Sequence, residues 1–308
     1  MPDERTGERT GECTGERWER GAPKMTQSDH VPDSRSSFRR SCGSAYLLCA
    51  LVGYVGLLLT LAASTAQGAP ADAPLTAAPI EAEAGEIEAL LDLTDDLNRG
   101  ESSHSEITLT VQRARYQRSL RIEAWSQGRD RSLIRVLAPR RERGISTLKL
   151  GDEAWNYLPK IDRRLKISAS AMGGAWMGSH LTNDDLIRGS RLRESYRAGL
   201  LERPQGEQGR YLIRLRAREE APVVWGTLLL DIGPDRLPRE IKYFSERGRL
   251  ERTMRFSEPR EFGARRVPTR IRVTPAAEPE EYSEISYQEL RFDVSIPPRT
   301  FSLQALRP

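Results

Sequence analysis

From Ile107 onward the apolar residues recur at every second position, and that period leaves few folds open. Ile107, Leu109 and Val111 alternate with Thr108, Thr110 and Gln112. Leu120, Ile122 and Ala124 follow, then Ile134 and Val136, then Ser146, Leu148 and Leu150. A period of two sends successive side chains to opposite faces, which is the pattern of antiparallel strands with one face buried. Turn signals separate the runs at Gln127–Asp130, Pro139–Gly144 and Gly151-Asp152. Trp155–Pro159 and Leu165–Ile167 make two short strands. The pattern resumes at Tyr211–Ala217, Val223–Ile232, Glu240–Ser245, Arg249–Phe256, Val267–Val273 and Tyr282–Asp293. The count is about ten to twelve strands with no βαβ rhythm. A single antiparallel sheet of that size curls. The expected fold is therefore mainly β with few helices: a curved antiparallel sheet or open barrel, with a helix packed on its concave face.

One helix is predicted ahead of the strands. Between Ile80 and Asn98, the residues Ile87, Leu90, Leu91, Thr94 and Leu97 share a face, acids lie opposite, and Gly100 stops the run. Upstream the chain changes character. Residues 1–44 are polar, with repeated T-G-E-R-like fragments, and Met25 offers a second possible start. Ala45–Ala63 is apolar, preceded by Arg35, Arg39 and Arg40 and followed by small residues. That order is expected for a signal peptide (residues 45–66) cut near Ala66 or Gly68; an uncleaved anchor is the alternative. Residues 67–79 read as a disordered Ala/Pro linker, and 80–308 as one domain.

Composition narrows the chemistry. Cys13, Cys42 and Cys49 all precede the expected cut, so the exported part has no disulfide, thiol nucleophile or lipid-attachment cysteine. The net charge of +4 rests on scattered arginines, and no aromatic-basic motif suggests nucleic acid. His104 and His180 are far apart, and there is no zinc motif, G-x-S-x-G elbow or phosphate loop. Asp184-Asp185 is the one acidic pair that invites a hydrolase reading. Neighbours on a helix point about 100° apart and cannot flank one bond. After Thr182 and Asn183, helix capping is the expected role. No catalysis, cofactor or metal is expected.

An apolar binding cavity is the remaining reading. Trp155, Tyr157, Leu158, Met172, Trp176 and Met177 put large side chains around a loop containing Gly173, Gly174 and Gly178. Methionine adapts to varied apolar ligands, and the glycines are expected to let this loop swing as a cover. Leu109, Val111, Ile122, Leu148, Leu181 and Leu186 complete the expected wall and lid. Arg163, Arg164 and Lys166 are candidate rim cations.

At these residues the chain resembles the outer-membrane lipoprotein-sorting proteins of the LolA-like superfamily, and within it the subgroup found beside RND-type (MMPL) exporters. The resemblance rests on Pro139 with Gly144 and Leu148, on Trp155-x-Tyr157-Leu158-Pro159, and on Arg163/Arg164 with Ile167. Met177-Gly178-Ser179, Thr182-Asn183-Asp184-Asp185-Leu186 and Ile296-Pro297-x-x-x-Phe301 complete it. Gly173-Gly174-Ala175-Trp176 departs from the family and makes the loop small and flexible. The resemblance implies a half-open barrel under a helical lid that binds acyl chains without catalysis. It implies a monomeric periplasmic carrier of lipoproteins or lipids, with a membrane exporter or outer-membrane acceptor as possible partner. The alternative is a lipid-sensing adaptor for an exporter or membrane regulator.

Overall fold

Thirteen strands, all joined to their neighbours antiparallel, make one open curved sheet among the described residues. The computed structural model describes residues 73–187 and 191–307, all within the unit Thr65–Pro308. The leader, its cysteines, the expected cleavage site and the first part of the linker lie outside the described residues.

The strands are β1 (Ser102–Arg113), β2 (Tyr116–Gln127), β3 (Arg131–Ala138), β4 (Ser146–Leu150), β5 (Glu153–Leu158), β6 (Arg163–Lys166) and β7 (Tyr196–Glu202). They continue as β8 (Tyr211–Ala217), β9 (Thr227–Ile232), β10 (Pro238–Phe244), β11 (Leu250–Phe262), β12 (Arg265–Pro275) and β13 (Tyr282–Phe292). Their order across the sheet is β6-β5-β4-β3-β2-β1-β13-β12-β11-β10-β9-β8-β7. The first and last strands pair at the centre, so two meanders spread from one seam. The strand missed by periodicity is β7. A register shift between Leu200 and Glu202 breaks its alternation.

Among the described residues four short α-helices accompany the sheet: α1 (Ala73–Thr76), α2 (Glu86–Asp95), α3 (Asn183–Ile187) and α4 (Leu192–Ser195). The predicted helix is shorter than its pattern. It starts after Gly85, whose φ of 79° ends the preceding turn, and Leu97 falls beyond its end. Leu90 and Leu91 of α2 pack with Leu192, Tyr196, Leu200, Ile213, Leu215, Leu228 and Leu230 on the inner face of β7–β9. The segment 169–187 covers the inner face of the other meander, where Trp176 and Leu181 meet Leu109, Val111, Leu120, Ile122 and Val136.

The outer face is covered too, by both ends of the domain. At one end Phe301 and Leu306 pack on Leu133, Leu148 and Tyr157. At the other, the linker's last residues are docked rather than disordered. Leu75 packs with Leu212, Leu229 and Phe244, and Arg214 Nη1 donates to the carbonyls of Leu75 and Ala77 at 3.0 and 2.6 Å. Arg214 is almost completely buried, so those carbonyls supply the acceptors that its desolvated guanidinium needs.

Candidate functional site

Between the inner face and the helices lies a cavity of about 260 Å³. Its apolar wall comes from Ile107, Ile134, Leu228, Ile241, Met254, Phe256, Ile271 and Ile285, roofed by Leu181, Leu186 and Leu192. Trp225, Tyr196, Tyr243 and Tyr287 add aromatic surface. One end is polar: Asp95, Asn98 and Arg99 after α2 face Ser103, Ser105, Ser126 and Ser132 of β1–β3. Register explains the serines. Ser103 pairs with Ser126 and Ser126 with Ser132, so the inner-facing row is hydroxylic at its start and apolar from Ile107 onward.

The roof is held by a buried ion pair. Arg252 of β11 donates to both oxygens of Asp185 at 2.5 and 2.7 Å and to the carbonyl of His180 at 3.0 Å. Its guanidinium stacks 4.1 Å from the Tyr243 ring and 4.4 Å from that of Trp225. Burial opposes the Arg252 charge, but Asp185 outweighs it and holds the pKa above the ordinary arginine value. Asp185 also caps α3: it accepts from Thr182 N, and its own N–H donates to Thr182 Oγ1. Asp185 thus has the capping role that its position after Thr182 implies, and its carboxylate is committed to Arg252.

The glycine-rich cover is laced down. Trp176 N donates to Leu181 O at 2.7 Å, Asn183 N to Gly174 O and Asp184 N to Met172 O, each at 3.0 Å. Trp176 is 2% exposed, and its Nε1 donates to Thr147 Oγ1 at 3.1 Å. At the tip, where Met177 and Gly178 both take positive φ, Arg118 donates to Met177 O and Arg113 to Gly178 O. Gly174 and Gly178 therefore serve tight geometry. A Cβ on Gly174 would sit 3.0 Å from the carbonyl of Ala171. The expected swinging cover is, in this structure, a closed hairpin.

Beside the tip, His180 lies 2.8 Å from Ser283 and 3.3 Å from Glu281, which resembles a hydrolytic trio. Ser283 is 1% exposed, accepts from the His180 backbone N–H, and does not line the cavity. Arg113 and the Ala114 N–H hold Glu281 down to about 2, while burial lowers His180. The trio ties the hairpin to the start of β13.

The predicted site residues divide. Leu181 and Leu186 line the cavity. Leu109, Val111, Ile122, Trp176 and Met177 pack into the adjoining inner cluster, filled by the hairpin. Met172 is buried with Ala154, Ile167 and Ile187 beneath the loop. Leu148, Trp155 and Tyr157 require correction. Leu148 pairs with Leu133 and Trp155, a row that points outward under Phe301 and Leu306. Leu158 belongs to neither the cavity nor a core cluster. The candidate rim cations Arg163, Arg164 and Lys166 sit on the exposed edge strand β6, away from the cavity lining.

The sequence reading missed Arg99, Ser105, Ser132, Trp225, Tyr243, Met254, Ile271, Ile285 and Tyr287. Ile271 and Ile285 were legible as strand positions; which face mattered was not. Near the polar end, Asp95 and Lys149 are shifted toward neutrality. Burial pushes Asp95 up to about 7 against the pull of Arg129. Burial, with the Arg99 and Arg191 charges, brings Lys149 down to about 7. No group of three His, Cys, Asp or Glu side chains among the described residues is placed to hold a metal ion.

This architecture recurs in solved structures. A DUF1329 family protein from Desulfovibrio piger superposes with a TM-score of 0.65 at 22% identity, covering 72% of this chain and 99% of its own. A LolA superfamily protein from Nitrosomonas europaea gives 0.61 at 20% identity, over 71% and 98%. A putative outer membrane lipoprotein-sorting protein domain from Vibrio parahaemolyticus gives 0.59 at 18%, over 67% and 91%. No curated protein matches. The model of a family described as "Uncharacterized protein" matches residues 128–308, from the β2–β3 turn to the end. The chain belongs to that family, and its fold is LolA-like.

Proposed function

We propose that this protein is a non-catalytic carrier that takes up acyl chains of lipids or lipoproteins in its inner cavity and moves them between envelope membranes. The observation that supports it is the cavity itself: an apolar wall drawn from β1, β3 and β9–β13, under a roof fixed by the Arg252–Asp185 pair. Each CH₂ buried there contributes about 0.8 kcal/mol, and Met254 and Phe256 add surface that repacks around varied chains. Export is supported by the apolar run Ala45–Ala63 and the small residues after it. No helix among the described residues is long and apolar enough to cross a membrane. A membrane exporter would supply the cargo and an outer-membrane acceptor would receive it.

The test is mass spectrometry of lipid extracted from protein purified after export, together with displacement of a fluorescent fatty acid. Recovered acyl species and saturable displacement are expected. Their absence from protein that is folded by circular dichroism would refute the reading. A stable membrane-protein partner, with no lipid exchange between vesicles, would replace the carrier with an adaptor.

A further inference from the structure

Two guanidiniums beside the cavity are committed to acids. Arg252 belongs to Asp185. Arg129, which anchors the end of α2, bonds Asp92 and Asp96 and lies 3.8 Å from Asp95. Arg99, in the turn between α2 and β1, differs. It lines the cavity, and no side chain among the described residues pairs or hydrogen-bonds with its guanidinium. Burial draws its pKa below the ordinary arginine value, against the pull of Tyr287, Asp95 and Asp96. A half-buried guanidinium with no hydrogen-bonded partner leaves donors free for an anion that enters the cavity.

The surroundings suit such a visitor. Ser105, Ser132 and Tyr287 line the same cavity, and their hydroxyls make no hydrogen bond to another described residue. The acid at this end, Asp95, accepts from Leu192 N at 3.0 Å and lies 3.8 Å from Arg129, and its pull on Arg99 is smaller than the opposing effect of burial. Beyond the serines the lining is apolar, through Ile107 and Ile134 to Ile271 and Ile285. The space is ample for a tail: a cavity of about 260 Å³ takes a chain of at least about nine methylene-sized groups.

We infer that the cavity selects an amphiphile with an anionic head group, carboxylate or phosphate, whose head is held by Arg99 with Ser105, Ser132 and Tyr287 and whose tail lies along Ile107, Ile134, Ile271 and Ile285. The inference rests on the acyl-binding reading and narrows it to a class of cargo.

Calorimetric titration of the exported protein, freed of bound lipid, tests it with decanoate, decyl phosphate and decanol. At least one anion is expected to bind about tenfold to a hundredfold tighter than decanol, the worth of a charge-assisted hydrogen bond, at one molecule per protein. The tighter of the two anions names the head group. Arg99→Gln is expected to shrink that preference to less than about threefold, and Arg99→Lys to keep part of it. Equal binding of all three ligands to the natural protein overturns the head-group assignment and leaves acyl binding standing. So does an anion preference that survives in Arg99→Gln. Failure of all three to bind the natural protein overturns the acyl-binding reading itself. The comparison of ligands on the natural protein needs no variant, so a poorly folding Arg99→Gln leaves the inference open to refutation.

Discussion

The two faces of the sheet use the same kinds of residue to opposite ends. On the outer face, Leu133, Leu148, Trp155 and Tyr157 meet Phe301 and Leu306 and form a filled core. On the inner face, Ile107, Ile134, Tyr243 and Trp225 meet α2, α3 and the hairpin, and a cavity remains. The covers differ in kind. The C-terminal segment lies flat on the strands, bound by Arg135 to Ala305 O at 2.7 Å and by Arg164 to Leu303 O at 3.2 Å. The inner roof instead stands on side chains that keep their length: Arg252 against Asp185, and Arg129 against Asp92 and Asp96. Apolar side chains collapse onto one another, whereas a hydrogen-bonded ion pair needs fixed geometry on both sides. An apolar face thus becomes a core or a pocket according to how its cover is held.

That contrast can be broken from either face. The largest effect is expected from Arg252→Leu, which strands Asp185 under the roof; urea unfolding should lose about 3–5 kcal/mol. Adding Asp185→Leu should recover much of the loss, and a lone variant as stable as the natural protein would remove the ion pair from the account. Next, Leu148→Ala on the outer face should cost about 2–5 kcal/mol while a fluorescent fatty acid binds within about twofold of the natural affinity. A comparable loss of binding would place Leu148 at the cavity after all. Ile285→Trp on the inner face should do the reverse, with about 1–3 kcal/mol of overpacking at most and probe binding weakened at least about tenfold as the cavity fills.

The smallest effect concerns pH. Folding raises Asp95 from 3.8 to about 7, so between those values the folded protein holds a proton that the unfolded chain has released. Stability from this group is complete below its ordinary value and is lost as pH rises toward about 7. Urea midpoints should therefore decline across that window, and Asp95→Asn should flatten the decline. Lys149, lowered from 10.5 to about 7, works in the opposite sense above neutrality, where stability rises with pH. An unchanged slope in Asp95→Asn would show that this acid is solvated.

Much of the fold was legible because period two in Ile107, Leu109 and Val111 has one structural meaning. The capping role of Asp185 was legible in the same way, since Thr182 stands three residues before it. Two expectations failed for shared reasons. The aromatics Trp155 and Tyr157 looked like a pocket wall because alternation separates faces without naming which is inner. The glycine-rich loop looked mobile because composition carries no record of partners; Arg118, Arg113, Thr147 and Ser283, which fasten it, are distant in sequence. The linker's docking through Arg214 was hidden likewise, with its acceptors at Leu75 and Ala77.

By itself, then, the sequence determined an antiparallel sheet of this size, the helix ahead of it, and the capped turn at Thr182–Asp185, because each depends on spacing within a few residues. Tertiary structure alone decided which face holds the cavity, that the hairpin is closed, and that Arg99 lines the cavity without an ion-paired acid among the described residues. Those outcomes depend on the C-terminal segment, on Arg252 and on α2 arriving from remote parts of the chain, and periodicity within a strand carries no information about what will cover it.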